Sequence, residues 1–368
     1  MKVMSVFGTR PEAIKMCPVV LELQKQPGIE SVVCVTAQHR QMLDPVLDIF
    51  GVRPQHDLDI MRESQTLFDI TADILLKIRA VLEAEKPDLV LVHGDTTTAF
   101  TAALACFYQQ IPVGHVEAGL RTYDLQAPFP EEFNRQAVDL VARFLFAPTA
   151  TARENLLAEG KAGEAIFVTG NTGIDALRYT VREGYRHPQL DWVGTSRLVL
   201  VTAHRRESLG PQMAGMFRAI RRAAQTEEDI KVIYPVHLNP AVRAIADAEL
   251  AGVDNVRLIE PLDAVDFHNF MKRSYLLLTD SGGIQEEAPA LDKPVLVMRE
   301  VTERPEGLQA GTLELVGTDE ARVYAGIHRY LNDKAAYQAM SRAKNPYGDG
   351  HASERIVKII VERFGAGR

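Results

Sequence analysis

Cysteine is scarce in this chain. Cys17, Cys34 and Cys106 are the three among 368 residues, with no C-x-x-C pair. That excludes a disulfide framework and leaves no zinc-ligand spacing. Long apolar runs are missing too, since no stretch approaches the roughly 18 residues that a bilayer span needs. Residues 1–8 are too short an apolar run for a secretory signal, and Arg10 interrupts it, so a soluble cytoplasmic protein is expected. Cations are outnumbered, 41 Lys and Arg against 49 Asp and Glu, for a net charge of −8. A broad basic surface for nucleic acid is thereby excluded, and any bound anion needs a local site. Gly and Pro, 25 and 19 residues, stand near the background share, which excludes collagen-like and low-complexity chains. Neither G-x-G-x-x-G nor G-x-x-x-x-G-K-[ST] occurs at the strand-to-helix turns, which argues against a nicotinamide dehydrogenase and a P-loop nucleotidase.

What is present is a rhythm. Short apolar runs predict strands at 2–7, 31–36, 89–93, 113–117, 144–147 and 165–168, then at 197–202, 231–235, 256–259, 275–279 and 294–298. Longer stretches predict helices at 12–26, 66–85, 97–109, 131–142, 212–225 and 284–291. Runs such as Leu89-Val90-Leu91-Val92 suit parallel strands covered by helices on both faces. The fold class is therefore α/β. The length suits two domains. The rhythm breaks over 179–196 and restarts at Arg197, so two Rossmann-like domains are expected, 1–178 and 179–350, with 179–196 as a linker. The loop 345–350 precedes a last helix, and the segment 351–368 is expected to pack back on the first domain. Ligands of open α/β sheets bind beyond the carboxyl ends of the strands, so the two domains are expected to face a central cleft.

Several turns carry chemistry. The first strand ends in Gly8-Thr9-Arg10-Pro11-Glu12. Free amides at that helix start, with Arg10 and Lys15 close by, suit an anion. A capped helix with two solvated cations fits the same residues. In the second half, 275–279 runs into Asp280-Ser281-Gly282-Gly283-Ile284-Gln285-Glu286-Glu287, where two glycines and a serine let backbone donors approach a diphosphate. Glu287 is placed to accept from a ribose diol, with one of the adjacent Glu286 and Glu287 solvated.

Three carboxylates stand at element ends: Asp95 in His93-Gly94-Asp95-Thr96, Glu117 in His115-Val116-Glu117-Ala118-Gly119-Leu120-Arg121, and Glu131 in Pro130-Glu131-Glu132. Any one alone is an ordinary cap or ion-pair partner. Gathered on one rim they would raise each other's proton affinity and supply a general acid and a general base. His204, in Thr202-Ala203-His204-Arg205-Arg206-Glu207, ends a strand beside two arginines and suits a departing phosphate, and His237 has a similar place. Phe267 is a core residue or a neighbour of a base edge. His93, Asp95 and His115 lack any further ligand pattern, so no metal is expected.

Together with Thr36-Ala37-Gln38-His39-Arg40, Asn134-Arg135 and 299–307, these segments resemble the bacterial non-hydrolysing UDP-N-acetylglucosamine 2-epimerases, from residue 1 to about 355. The resemblance implies a glycosyltransferase-B-type fold with the active site between its two domains, a homodimer, and no cofactor. It implies reversible conversion of UDP-N-acetylglucosamine to UDP-N-acetylmannosamine for cell-envelope polysaccharides. In the family's reaction a base takes the C2 proton as UDP leaves C1. UDP then adds back to the 2-acetamidoglucal with protonation on the opposite face. By resemblance Asp95, Glu117 and Glu131 are acid and base, and His204 assists the diphosphate. Arg10, Ser281, Gly282, Gly283, Glu287 and Arg304 would hold UDP, with Phe267 near the uracil and Lys15 a further contact of the active site. A second, activating UDP-N-acetylglucosamine is implied at Gln38, Gln41, Gln65, Glu131, Arg205 and His237. There Ser64 replaces an arginine, and Arg62 is the candidate to compensate.

Three other readings share these motifs. A hydrolysing epimerase would release UDP and free N-acetylmannosamine. A glycosyltransferase of the same fold would need one base where three carboxylates stand. A silent sugar-nucleotide sensor would keep the 281–283 turn and need none of the three.

Overall fold

The computed structural model describes residues 1–37, 40–62 and 64–365, with residues 40, 41, 206 and 365 described by backbone alone. The chain forms two compact units, Met1–Tyr179 with Gly348–Arg368, and Thr180–Tyr347.

The first unit is built on seven parallel strands, β1 (Lys2–Phe7), β2 (Glu30–Val35), β3 (His56–Asp57), β4 (Leu89–His93), β5 (Val113–Val116), β6 (Phe144–Ala147) and β7 (Ile166–Val168). Their order is β3-β2-β1-β4-β5-β6-β7. The reason for the continuous apolar runs is visible in the packing. Successive strand side chains point to opposite faces. Val3, Phe7, Val33, Val35, Leu89 and Leu91 enter one core, while Met4, Val6, Val32, Cys34, Val90 and Val92 enter the other. The helix Ala352–Gly365 belongs to this unit: Ile356, Val357 and Ile360 join the core of Val3 and Phe7. Its start is held by Asp175, which accepts from the amides of Ala352 (3.1 Å) and Ser353 (2.7 Å).

The second unit repeats the plan with six parallel strands, β8 (Arg197–Thr202), β9 (Ile230–Pro235), β10 (Val256–Ile259), β11 (Leu276–Thr279), β12 (Val295–Val297) and β13 (Leu313–Leu315). Their order is β10-β9-β8-β11-β12-β13. In each unit the winding direction reverses once, between β1 and β4 in the first and between β8 and β11 in the second. A reversal leaves a crevice at the carboxyl ends of the two strands it separates, because their connections leave in opposite directions. The turns after β1, β4, β8 and β11 are the ones whose sequences carry the motifs.

Several expectations change. β3 and β13 are edge strands of two and three residues, too short to show as apolar runs. The helix Arg40–Phe50 holds Pro45 in its interior, which reads as a breaker in sequence. Segments 150–158, 172–180, 240–250, 264–273 and 320–332 are also helical. The stretch 179–196 is no linker. It contains the helix Pro188–Val193 and belongs, from Thr180 on, to the second unit. There the Trp192 ring lies 4.2 Å from the Arg257 guanidinium and 4.8 Å from Lys231 Nζ. No helix among the described residues is long and apolar enough to cross a membrane.

Candidate active-site residues at the two sheet reversals

In the first unit Gly8, Asp95 and Glu117 follow β1, β4 and β5, three neighbouring strands around the reversal. Gly8 is required by a close approach: a Cβ there would lie 1.8 Å from Thr36 Oγ1. The anion cradle expected at this turn is not open. The helix Arg10–Gln24 starts two residues earlier than expected, because Thr9 and Glu12 form a capping box. The amides of Gly8 (3.1 Å) and Thr9 (2.8 Å) donate to Glu12 Oε2, and Thr96 Oγ1 donates to Oε1 at 2.7 Å. Those backbone donors are spent inside the turn. Burial raises the Glu12 carboxyl above the usual range in spite of the three bonds. Arg10, the first helical residue, is exposed.

The three carboxylates are not organised by mutual repulsion. Glu117 Oε2 is ion-paired with Lys15 Nζ, and Asp95 Oδ2 with Arg135 Nη2. Asn134 Nδ2 also donates to the Asp95 carbonyl at 2.9 Å. Glu117 and Asp95 therefore each carry a cation, and Lys15 lies against Glu117. Glu117 sits at φ +68°, a left-handed backbone that costs a non-glycine residue about 1–2 kcal/mol. Its Oε1 lies 3.6 Å from the position of a Gly94 Cβ, so the Glu117 side chain abuts the turn that bears Asp95. Glu131 is the half-exposed first residue of the helix Glu131–Val141, where the positive end of the helix favours a carboxylate.

Beneath these groups lie two buried histidines. His93 Nε2 is 3.6 Å from Glu117 Oε2. Burial pushes the His93 ring down to about 3, although the Glu117 carboxylate pulls the other way. His115 directs Nδ1 to Asp139 Oδ1 (2.6 Å) and Nε2 to the Gly94 carbonyl (2.8 Å). Both partners are acceptors, so the ring donates from both nitrogens. Asp139 also accepts from Arg121 (2.7 Å) and from the Gly119 amide (3.2 Å), with its side chain fully buried. Burial would raise the Asp139 carboxyl, but His115 and Arg121 outweigh it and hold it low.

In the second unit the turns after β8 and β11 are tied together by Asp280. Its fully buried carboxylate accepts from the amides of His204 (2.6 Å) and Arg205 (2.8 Å) through Oδ2. Arg205 Nε donates to the Asp280 carbonyl at 3.1 Å. Burial would push the Asp280 carboxyl up, but His204 and the two amides hold it below the usual range. The His204 and His237 rings stack at 5.3 Å and 13°. Together with Arg205, Asn239 and Ser281 they line a cavity of about 550 Å³. Ser281 stands at the start of the short helix Gly282–Glu287, and no side chain caps that start. The Ser281 amide donates to Thr279 Oγ1 at 3.0 Å, and the amides of Gly282 and Gly283 begin the helix without a side-chain cap.

Glu286 and Glu287 part in a way the sequence did not show. Neither is left to solvent. Glu286 is buried and ion-paired with Arg304 Nε, which sets the guanidinium over Gly282, 3.7 Å from where a Cβ would stand. The Glu287 side chain is 17% exposed and lies 3.6 Å from His268 Nε2, whose Nδ1 meets Thr180 Oγ1 at 2.7 Å. Phe267, next to His268 on the helix Ala264–Arg273, is half-buried. Among the residues expected at a second nucleotide, Gln38 and the side chain of Gln41 lie outside the described residues. Gln65 donates to the Ile60 carbonyl (2.6 Å) and accepts from the Arg62 amide (3.0 Å). The Arg62 guanidinium is ion-paired with Asp73.

Sequence reasoning did not single out Arg135, Asp139, His268 and Asp280, which pair with the candidate residues or their neighbours. Asp280 had a signal, a carboxylate at the end of a buried strand. Asp139 had none, because it lies inside a helix and only the fold brings it to His115.

A family model for UDP-N-acetylglucosamine 2-epimerase matches residues 21–361. The UDP-N-acetylglucosamine 2-epimerase of Bacillus subtilis (strain 168) is 59% identical over 365 residues, covering 99% of this chain and 96% of that protein. A Listeria monocytogenes crystal structure bearing the same family name is 55% identical with a TM-score of 0.96, over 100% of this chain and 97% of that one. A UDP-GlcNAc 2-epimerase from Neisseria meningitidis, solved bound to UDP-GlcNAc, is 46% identical with a TM-score of 0.88, over 98% of this chain and 100% of that one. The fold is of the glycosyltransferase-B type. The glycotransferase of kitacinnamycin shares it at 13% identity, with a TM-score of 0.67 over 98% of each chain.

Proposed function

Since this chain belongs to the UDP-N-acetylglucosamine 2-epimerase family, we propose that it inverts C2 of UDP-N-acetylglucosamine without hydrolysis, yielding UDP-N-acetylmannosamine for cell-envelope polysaccharides. No carbonyl neighbours C2, so its proton is removable only as the C1–O bond breaks. A carboxylate takes the proton, the C2–H electron pair becomes the C1–C2 double bond, and the C1–O pair leaves on the diphosphate. Return of the diphosphate oxygen to C1, with a proton delivered to the other face of C2, completes the inversion.

The observation that carries this reading is the Lys15–Glu117 pair beside the Asp95–Arg135 pair at the first unit's reversal. One carboxylate serves a glycosyltransferase, whereas inversion at C2 needs a group for each face. Glu117, Asp95 and Glu131 are the acid and base groups. The uncapped Ser281–Gly283 turn, Arg304 and His204 hold the diphosphate, and Glu287 holds the ribose. Arg10 is a further UDP contact, and Phe267 stands near the uracil. Arg205, His237 and Gln65 are the described contacts of a second, activating nucleotide.

The working form is a homodimer. The adjacent helices Leu67–Glu85, Thr97–Tyr108 and Glu131–Val141 leave Leu76, Phe107, Tyr108 and Leu140 between 58% and 74% exposed. Apolar surface of that kind suits a second copy.

Proton NMR of UDP-N-acetylglucosamine with the protein in D2O tests the reaction. Deuterium at C2, with UDP-N-acetylmannosamine rising to equilibrium and no free UDP, is expected. Accumulating UDP and free N-acetylmannosamine would mean hydrolysis. An untouched C2 proton with the nucleotide bound would sink the epimerase reading.

A further inference from the structure

Asp280 has two oxygens and two different tasks. Oδ2 is fully occupied by the amides of His204 and Arg205. Oδ1 is buried and has no hydrogen-bond partner among the described residues, which is costly for a carboxylate oxygen. One donor stands within reach, His204 Nδ1 at 3.2 Å. That distance suits an ion pair, and the bond is off line, as contacts of this kind often are before substrate binds. The His204 side chain is 41% exposed while the carboxylate is fully buried. The ring thus spans from the interior to the cavity that it lines with Arg205, His237 and Ser281.

Resting on the reading that His204 meets the departing diphosphate, we infer that Asp280 is the positioning residue of His204, fixing its Nδ1–H inward so that Nε2 works in the cavity. As the C1–O bond breaks, the electron pair stays on the diphosphate oxygen. Nε2–H donates a hydrogen bond to that oxygen, and no bond of the ring is broken. With both nitrogens protonated, the ring charge is balanced by Asp280 rather than by solvent. The backbone bonds to Oδ2 fix the height of the loop, so the carboxylate sets both where the ring starts and which edge it shows. Among the described residues, the other titratable and charged groups around the ring are His237, stacked on it, and Arg205, whose guanidinium is directed to the Asp280 carbonyl and to Glu303 at 3.6 Å. Tyr234, whose hydroxyl donates to the Ala203 carbonyl, faces Asp280 from β9.

The test is Asp280→Asn in the full chain. An asparagine oxygen still accepts from the two amides, so the loop is kept. Its NH2 turned to Nδ1 makes that nitrogen an acceptor and removes the countercharge. A fall in kcat on the order of 10- to 100-fold is expected, with the Kd for UDP by calorimetry within about threefold. In a His204→Gln background the same change should cost nothing further in kcat, because Asp280 acts through His204. Full kcat in Asp280→Asn, or an equal loss in both backgrounds, would overturn the inference. Should Asp280→Asn lose UDP binding, nitrogen-15 spectra of the wild-type ring decide. His204, assigned by its absence in His204→Gln, should keep its proton on Nδ1 when neutral, and a neutral ring protonated on Nε2 would overturn the inference. The wild-type C2 exchange experiment stands apart from these. Its failure removes the epimerase reading, whereas failure of the variants with exchange intact removes only the role of Asp280.

Discussion

His115 Nε2 lies 2.8 Å from the carbonyl oxygen of Gly94, the residue before Asp95. The other nitrogen of the same ring meets Asp139, on the helix that begins with Glu131, and the ring itself stands two residues before Glu117. One buried imidazole therefore joins the three elements that carry the three candidate acids. Asp139→Ala removes the buried acceptor shared by His115 Nδ1, Arg121 Nη2 and the Gly119 amide, while Arg121 keeps its pair with Glu159. It should cost about 3–5 kcal/mol of stability in urea unfolding. An unchanged midpoint would show that the network is not held by charge.

The Lys15–Glu117 pair separates chemistry from nucleotide binding. Glu117→Gln should slow C2 deuterium exchange by about 10²- to 10⁴-fold. The Kd for UDP should stay within about threefold, since the diphosphate is assigned to groups of the other unit. A variant that loses UDP binding and exchange in parallel would count against Glu117 as a proton-transfer group.

Acid should destabilise the fold through His93. Its ring is held neutral down to about 3 in the folded protein, against an ordinary value of 6.5. The unfolded chain therefore takes the proton first, so the stability present above pH 6.5 is lost as pH falls from 6.5 toward 3. At about 1.4 kcal/mol per unit, the loss by pH 5 is on the order of 2 kcal/mol. The stability gap between wild type and His93→Asn should shrink by that amount between pH 7 and pH 5 in urea titrations. A constant gap would mean that His93 binds its proton equally in both states.

The exposed apolar helices of the first unit give a prediction about assembly. Leu140 is 74% exposed, so Leu140→Glu should leave the monomer's melting behaviour within the range of ordinary surface changes, about 0.5 kcal/mol. Sedimentation velocity should show a dimer for the wild type and a shift toward monomer for the variant. A wild-type monomer at micromolar concentration would remove the dimer from the proposal.

Much of this protein was legible in its sequence. The α/β alternation follows from side-chain period, because a strand buried on both faces must be apolar at every position, as Leu89–Val92 are. The turns that carry Asp95, Glu117, His204 and Ser281 could be named for a similar local reason, since glycine, serine and carboxylates mark strand ends. Edge strands such as 56–57 and the helix over Pro45 were not legible, because their local signal is absent or points the other way. Tertiary structure alone decided the partners. Whether Gly8 and Thr9 offered their amides depended on how Glu12 was buried. Whether Glu286 or Glu287 met solvent depended on where Arg304 and His268 lay. Asp139 and Asp280 became the hubs of their networks because strand order set His115 and His204 beside them. Charges and buried donors are satisfied in space, by groups 24 and 76 residues away along the chain, and no local pattern encodes that distance.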